Sequence, residues 1–441
     1  MVLAHAHSSL PGLDEVVRTL TLRAGFNTTT VVVGTTLLGL AAGVVGVFAM
    51  LRKRSLVADA LSHATLPGIA LAFLLAPSLG LTGRSLGVLL TGGAISGVLG
   101  VLCIQGLVRG TRLGEDAAIG IVLGVFFGAG VVALSVVQRH AAAGAGGLDR
   151  FIYGQTAAMG VDDARLLGGI ALAALLAAFL LLKELRLVCF DADFARVGGW
   201  PVGVIDLLLM GLMVLVTIAG LQAVGLLLVV AMLIIPAVAA RFWTERLWVL
   251  VVLAGAFGAA SGYAGSVLSA LLPRKPAGAV IVLTAGGLFA LSMLLAPARG
   301  VLAASVRGSR LRLRIACDHA LEAAWRQSGE GQPALGAAAL RALARTRGWS
   351  AWLGELVVLA LRVRGLARVR GGALELTEAG VARGRRVARN HELWEQYLIS
   401  HADVAPSHVD WSVDQVEHVL DERLVAELEA ALRARGGGNA R

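Results

Sequence analysis

Charge is scarce in this sequence of 441 residues: Asp, Glu, Lys and Arg together make up 15% of it. By length alone the chain could hold two or three soluble domains. So little charge beside 57% hydrophobic residues excludes that for most of its length. Cysteine is scarcer still. Cys103, Cys189 and Cys317 stand singly, with no CxxC spacing and no even framework. That excludes a disulfide scaffold and a thiolate zinc site, and leaves the three as small apolar fillers. No G-x-x-x-x-G-K-[ST] run occurs, so the chain lacks a phosphate-cradling P-loop. No Ser/His/Asp or Cys/His grouping offers a nucleophile either.

Glycine, by contrast, is abundant, with 56 residues. Small residues are expected where transmembrane helices approach closely. A bilayer core needs about 20 apolar residues per helix, and such segments recur from about Thr30 to Leu295. Nine candidate spans are read at about 30–51, 60–80, 84–108, 117–138, 164–184, 202–220, 222–240, 247–270 and 277–297. Only Gln222-Ala223-Val224-Gly225 separates the sixth from the seventh, so the count is eight or nine.

Basic residues follow the odd-numbered spans: Arg52, Lys53 and Arg54, then Arg109 and Arg112, Lys183 and Arg186, Arg241 and Arg246, Arg299 and Arg307. The positive-inside rule then puts the N-terminus outside and the C-terminal region in the cytoplasm. The formal charge of +10 is read as cytoplasmic loops before nucleic acid. About 29 residues, some acidic, precede the first span, which argues against a cleavable signal. His5 and His7 could gather metal outside, but a disordered terminus is the plainer expectation. Trp200, Trp243 and Trp248 fit interfacial anchors, and Pro236 is expected to kink a pore-lining helix.

After Arg307 the character changes. Arg310–Arg314 is basic and suits a membrane surface. Amphipathic helices and short polar loops follow. Gly365–Gly380 reads as a β-hairpin turning at Gly371-Gly372. The order is that of a winged helix followed by a long helical segment.

Three constellations stand out. In Asp59-Ala-Leu-Ser-His63 two polar side chains share one helical face at membrane depth, where ionisable groups mark a substrate path by default. A carboxylate and a neutral imidazole suit a divalent first-row metal. The alternative is an interfacial Asp beside a hydrogen-bonded histidine. The loop Phe190–Gly199 holds a short acidic-apolar helix fit to dock in a partner's groove. In the polar tail, His391 and Glu395 are four apart. Asp410, Asp414, Glu417 and His418 fall at i, i+4, i+7 and i+8 on a second helix. Six oxygen or imidazole donors without a thiol favour Mn²⁺ or Fe²⁺ over structural zinc, the alternative being a solvated charged face. Glu115 and Asp116 read as helix-start carboxylates and nothing more.

The run LRKRSLVADALSHATLPGIALAFLL (51–75) resembles the signature of the manganese/zinc/iron permease family of ABC transporters. RLGEDAAIGIVLG (112–124), FDADFARVGGWPV (190–202), QAVGLLLVVAMLIIPAVAAR (222–241) and PAGAVIVLTAGGLFALSMLLAPARG (276–300) agree in order. The resemblance implies a permease that pairs with a second copy or a sister chain, sits on a separate ABC ATPase subunit, and takes metal from an extracytoplasmic metal-binding protein. It implies that Asp59 and His63 line the metal path. It also implies that 190–199 is the coupling helix, with Asp191, Phe194, Ala195 and Gly198 in its motif.

RNHELWEQYL (389–398) and VDWSVDQVEHVLDERLVAELE (409–429) resemble the iron/manganese-dependent repressor family. That resemblance carries metal ligation over to His391, Glu395, Asp410, Asp414, Glu417 and His418, although members often hold His where Asp410 stands. The family also takes ligands from its first helix, where His319 and Glu322 have i, i+3 spacing.

The expected architecture is an all-α polytopic membrane protein of the type II ABC importer kind with a C-terminal α+β winged-helix and helical metal-binding domain. Its parts are 1–300 permease, 301–314 basic linker, 315–385 winged helix and 386–441 metal-binding or dimerisation segment. The resemblance implies a bacterial inner membrane, crossed several times, with the C-terminal domain in the cytoplasm. The expected substrate is a divalent metal, Mn²⁺ ahead of Fe²⁺ or Zn²⁺, and the tail is expected to sense metal or to dimerise. DNA binding is not expected, because the candidate reading helix opens Ser350-Ala-Trp-Leu-Gly-Glu355 and its arginines, Arg362 and Arg364, come at the far end. The rivals are a membrane-tethered transcription factor and a permease for a metal chelate such as a siderophore or cobalamin.

Overall fold

The computed structural model describes residues 13–23, 25–80, 85–140, 160–223, 225–272, 275–327, 334–401 and 430. It divides into two units, Met1–Ala303 and Ala304–Arg441. His5 and His7 lie outside the described residues.

In the first unit a short α1 (Leu13–Leu20) precedes α2 (Phe26–Leu51), α3 (Ser55–Leu75), α4 (Leu86–Gly110), α5 (Glu115–His140) and α6 (Val161–Leu180). Then come two short helices, α7 (Leu182–Phe190) and α8 (Ala192–Val197). The unit closes with α9 (Val202–Ala223), α10 (Leu226–Arg241), α11 (Leu247–Leu271) and α12 (Ala277–Leu295).

Among the described residues, 8 helices are long and apolar enough to cross a membrane. The seventh expected span is α10, an apolar helix of 16 residues, about 24 Å at ~1.5 Å per residue and shorter than those eight; counted as a crossing, it completes the nine. It is set off from α9 by Gly225, whose φ of 93° a side chain would resist. The apolar run expected at 164–184 is cut at Leu181, where α6 stops and α7 starts. Pro236 lies inside α10.

Small residues set the packing. Thr35, Gly39 and Gly43 of α2 face Ala254, Gly258, Gly262 and Ser266 of α11, both sets stepping by four residues along one helical stripe. A Cβ on Gly39 would fall on the Gly258 carbonyl, and one on Gly258 would fall on the Gly39 carbonyl. The backbones therefore touch, the arrangement that small-xxx-small stripes permit in lipid. The Thr35 hydroxyl, 2.8 Å from that of Ser266, closes the stripe. Gly68 and Gly92 bring α3 against α4 in the same reciprocal way. There the Ser96 hydroxyl donates to the Ala64 carbonyl at 2.6 Å. Phe48, Leu61, Ile69, Ile104, Met213 and Leu233 fill the buried centre.

The second unit begins on α13 (Val301–Arg326), so the expected linker at 301–314 is helical and runs unbroken into the domain's first helix. β1 (Ala334–Gly336), α14 (Ala337–Thr346), α15 (Ala351–Val363), β2 (Ala367–Arg370), β3 (Ala373–Leu376) and α16 (Glu378–His401) follow. The antiparallel sheet has the order β1-β3-β2. The hairpin turns at Gly371 and Gly372, with φ of 59° and 77°, the left-handed pair that a two-residue turn between twisted strands demands. Ala320, Leu321, Val357, Leu361 and Leu374 form its core.

Cys317 sits in that core, and burial pushes its thiol up to about 11, with the Asp318 carboxylate adding and Arg364 opposing. Cys189 on α7 is pushed up by burial to about 12. Thiolate is the reactive form, so the folded chain should resist alkylation at both positions at pH 8. Cys317 should react about a hundredfold more slowly than an unperturbed thiol, its pKa standing at about 11 against 9.0. Unfolding restores ordinary reactivity. Mass spectrometry after a timed iodoacetamide pulse checks this, and rapid labelling of folded Cys317 would contradict it.

Candidate functional site

The site is built on α3. Arg52, Lys53 and Arg54 form the turn after α2, with Lys53 at a φ of 57°, and α3 starts immediately at Ser55. Asp59 and His63 follow one turn apart, as the spacing predicts. The His63 Nε2 lies 3.8 Å from an Asp59 carboxylate oxygen, close enough for one cation to bridge them. The two differ in exposure, the His63 side chain at 16% and Asp59 at 49%. Phe127 of α5 meets the imidazole edge to face, with centroids 5.0 Å apart. The His63 Nδ1 is buried and has no hydrogen-bond partner among the described residues.

Pro67, inside α3, adds a second local effect. It carries no amide hydrogen, so the helix cannot satisfy the His63 carbonyl in the usual i to i−4 manner. Gly130 of α5 packs directly on Leu66 and Pro67, where a Cβ would meet Leu66 and the proline ring. The α3–α5 contact thus covers the proline and seats Phe127 against His63. A half-exposed carboxylate, a half-buried imidazole and a freed carbonyl gather at one point of a helix.

In the 190–199 segment, Asp191 caps α8, its Oδ1 accepting from the Phe194 amide at 2.8 Å. Ala195 is fully buried, while Phe190, Phe194 and Val197 are 66%, 65% and 89% exposed. The chain leaves α8 through Gly198 and then Gly199, which takes the left-handed φ of 80°. The Trp200 amide returns to the Ala195 carbonyl at 3.0 Å. Lys183 stands over the Trp200 ring, 5.6 Å from its centroid. A capped, pinned helix thus presents an apolar ridge, which is the form a docking knob takes.

In the second unit the structure unites residues that spacing placed on separate helices. His319 and Glu322 of α13 and His391 of α16 are all buried and line one cavity of about 480 Å³. The His391 Nδ1 lies 3.8 Å from the Glu322 Oε1, which Arg326 also approaches at 2.8 Å. The Arg383 guanidinium clasps Asp318 with two bonds of 3.0 Å, which raises the Arg383 pKa. Two imidazoles and a carboxylate, without a thiol, suit a divalent first-row cation. They are not a complete site, since no group of three or more His, Cys, Asp or Glu among the described residues is gathered to hold a metal ion. Glu395 falls within α16, but its side chain lies outside the described residues, as do Asp410, Asp414, Glu417 and His418.

Sequence reasoning missed Asp206, a buried acid in the first turns of α9. A lone carboxylate in the apolar run Val202–Leu209 was the available signal. Glu115, read as a helix-start carboxylate, pairs with Arg54. Burial lowers the Arg54 pKa, and the Asp206 carboxylate opposes that shift.

Comparison with known proteins bears on both units. The profile of the ABC 3 transport family matches residues 26–296. That of the iron dependent repressor, metal binding and dimerisation domain matches residues 377–435. The manganese transport system membrane protein MntC of Bacillus subtilis is 38% identical over 410 residues, covering 91% of this chain and 92% of that protein. The zinc transport system membrane protein TroC of Treponema pallidum is 45% identical over 283 residues, covering 64% and 93%. Among solved structures, PsaBC from Streptococcus pneumoniae, in complex with Fab, superposes with a TM-score of 0.56 at 31% identity, covering 65% of this chain and 98% of that one.

Proposed function

The chain belongs to the ABC 3 transport family, and from that premise we propose that it is the membrane permease subunit of an ATP-driven importer of a divalent transition metal, manganese first. The observation that carries this is the Asp59–His63 pair on α3, with a buried imidazole nitrogen left over and a carbonyl freed by Pro67. One chain supplies too few donors to strip a cation of its water. A second permease, presenting the same pair, would complete the set.

Transport is by alternating access. A metal-binding protein outside the membrane delivers the ion. The paired Asp59 and His63 side chains take it in a place reached from one side at a time, and it is released into the cytoplasm. Asp59 offers charge and can turn toward solvent, whereas His63 is fixed by Phe127. A mobile carboxylate beside a fixed imidazole suits a site that must release its ion as well as bind it. The chain lacks a P-loop, so hydrolysis falls to a separate ATPase, and the Phe190–Val197 ridge is where that subunit docks.

The second unit we assign to the cytoplasm, where it senses metal or holds two permeases together. His319, Glu322 and His391 would supply donors from two helices, so that a bound cation would fix α16 against α13.

Substrate identity is tested by competition. Permease and ATPase reconstituted in vesicles loaded with ATP, with the metal-binding protein outside, should take up radioactive manganese. Unlabelled manganese should block that uptake at lower concentration than zinc or iron. Inhibition by zinc well below the manganese concentration would reassign the substrate, and inhibition by a siderophore or cobalamin alone would overturn the metal reading.

A further inference from the structure

One carboxylate, Asp206, organises the end of the bundle that carries the 52–54 turn and the 190–199 segment. Arg52 clasps it with two bonds, Nε to Oδ1 at 2.9 Å and a terminal nitrogen to Oδ2 at 2.6 Å. The other terminal nitrogen of Arg52 donates to the Val188 carbonyl at 3.1 Å, two residues before Phe190. Arg54 also approaches the same Oδ2, at 3.4 Å, while pairing with Glu115 at the start of α5. Arg109, from the end of α4, lies over Gly203 one turn before Asp206. Four helices and one turn thus converge on two basic and two acidic side chains beside a fifth charge.

A buried ion pair is a poor way to gain stability, because desolvation offsets the attraction and an apolar pair of equal volume would serve as well. What this cluster does supply is a choice. Asp206 is shared unequally between two arginines on the same turn, one holding it with two bonds and one barely reaching it. If the carboxylate passes to Arg54, Arg52 lets go of both Asp206 and Val188, and α7 with the 190–199 segment is freed. Asp59 starts five residues after Arg54 on the helix that this turn begins. A shift of the turn therefore moves the metal pair.

Resting on the reading of this chain as an ATP-coupled permease, we propose that Asp206 is a positioning residue: the joint through which movement of the 190–199 segment reaches the helix carrying Asp59 and His63. It touches no substrate. Its arrangement with Arg52 and Arg54 is the two-state element that such coupling requires.

The test is Asp206→Asn in the reconstituted complex of permease and ATPase, supplied with the metal-binding protein, together with the neutral double variant Arg52→Gln/Asp206→Asn, which leaves no orphaned charge should the single variant misfold. Metal moved per ATP hydrolysed should fall by several-fold, up to about thirtyfold. ATP hydrolysis and manganese binding to the permease should stay near wild type. Asp206→Glu should recover part of the ratio. Hydrogen exchange gives a readout independent of transport: loosening at 190–199 should be accompanied by loosening at 55–63. A folded variant with a wild-type ratio, or with exchange altered only around residue 206, would overturn the proposal. If the wild-type complex moves no metal, the permease reading fails instead, and the paired exchange change still decides whether the joint exists.

Discussion

Metal uptake by the Asp59→Ala variant should fall by more than about a hundredfold, since residues that merely orient a metal ligand are already worth about 10–100-fold. Asp59 is the cleaner of the two positions to remove. Its side chain is half exposed and fills no cavity, so the change leaves neither a void nor a buried unsatisfied group. Surface changes of that kind alter stability by less than about 0.5 kcal/mol. His63→Ala would instead delete the ring that packs on Phe127 and confuse loss of ligand with loss of packing. The variant should purify in wild-type yield, unfold at an unchanged temperature and still assemble with the ATPase. Full uptake by Asp59→Ala would remove the metal path from α3.

Gly258→Leu should abolish the folded protein. Its Cβ would occupy the position of the Gly39 carbonyl in α2, and that neighbour is backbone, which has no rotamer by which to move aside. Even a methylene forced among yielding side chains costs about 1–3 kcal/mol. Here the two helices must separate along the stripe from Thr35–Ser266 to Gly43–Ala254, so more than about 4 kcal/mol is lost, the range in which single changes become exceptional. Gly124→Ala is the control, because a Cβ there meets nothing within 4 Å. Size-exclusion chromatography in detergent should show aggregate for the first and a wild-type peak for the second. A monodisperse Gly258→Leu would mean that α2 and α11 do not touch through backbone.

How far the molecule could be read in advance depends on how local each feature is. Hydropathy found the spans because a bilayer imposes length and polarity on each helix separately. Gly371-Gly372 announced the hairpin because the turn needs two left-handed residues in succession. Asp59 and His63 were visible because one helical turn brings them together. The break at Leu181 was not, since the run Leu180-Leu181-Leu182 is apolar on both sides of it. Asp206 needs Arg52, 154 residues away, to become a hub. His319 and Glu322 acquire meaning only when α16 brings His391 to them. Pairings across such separations are products of packing, which no spacing rule contains.

The most direct measurement is radioactive manganese accumulation in vesicles holding this chain and its ATPase, with the metal-binding protein supplied on the outer face and ATP on the side of the 190–199 segment. Accumulation that requires ATP and the ATPase, and that Asp59→Ala abolishes, is the predicted result. Accumulation that proceeds without the ATPase, or no metal movement from a folded and assembled complex, would contradict it.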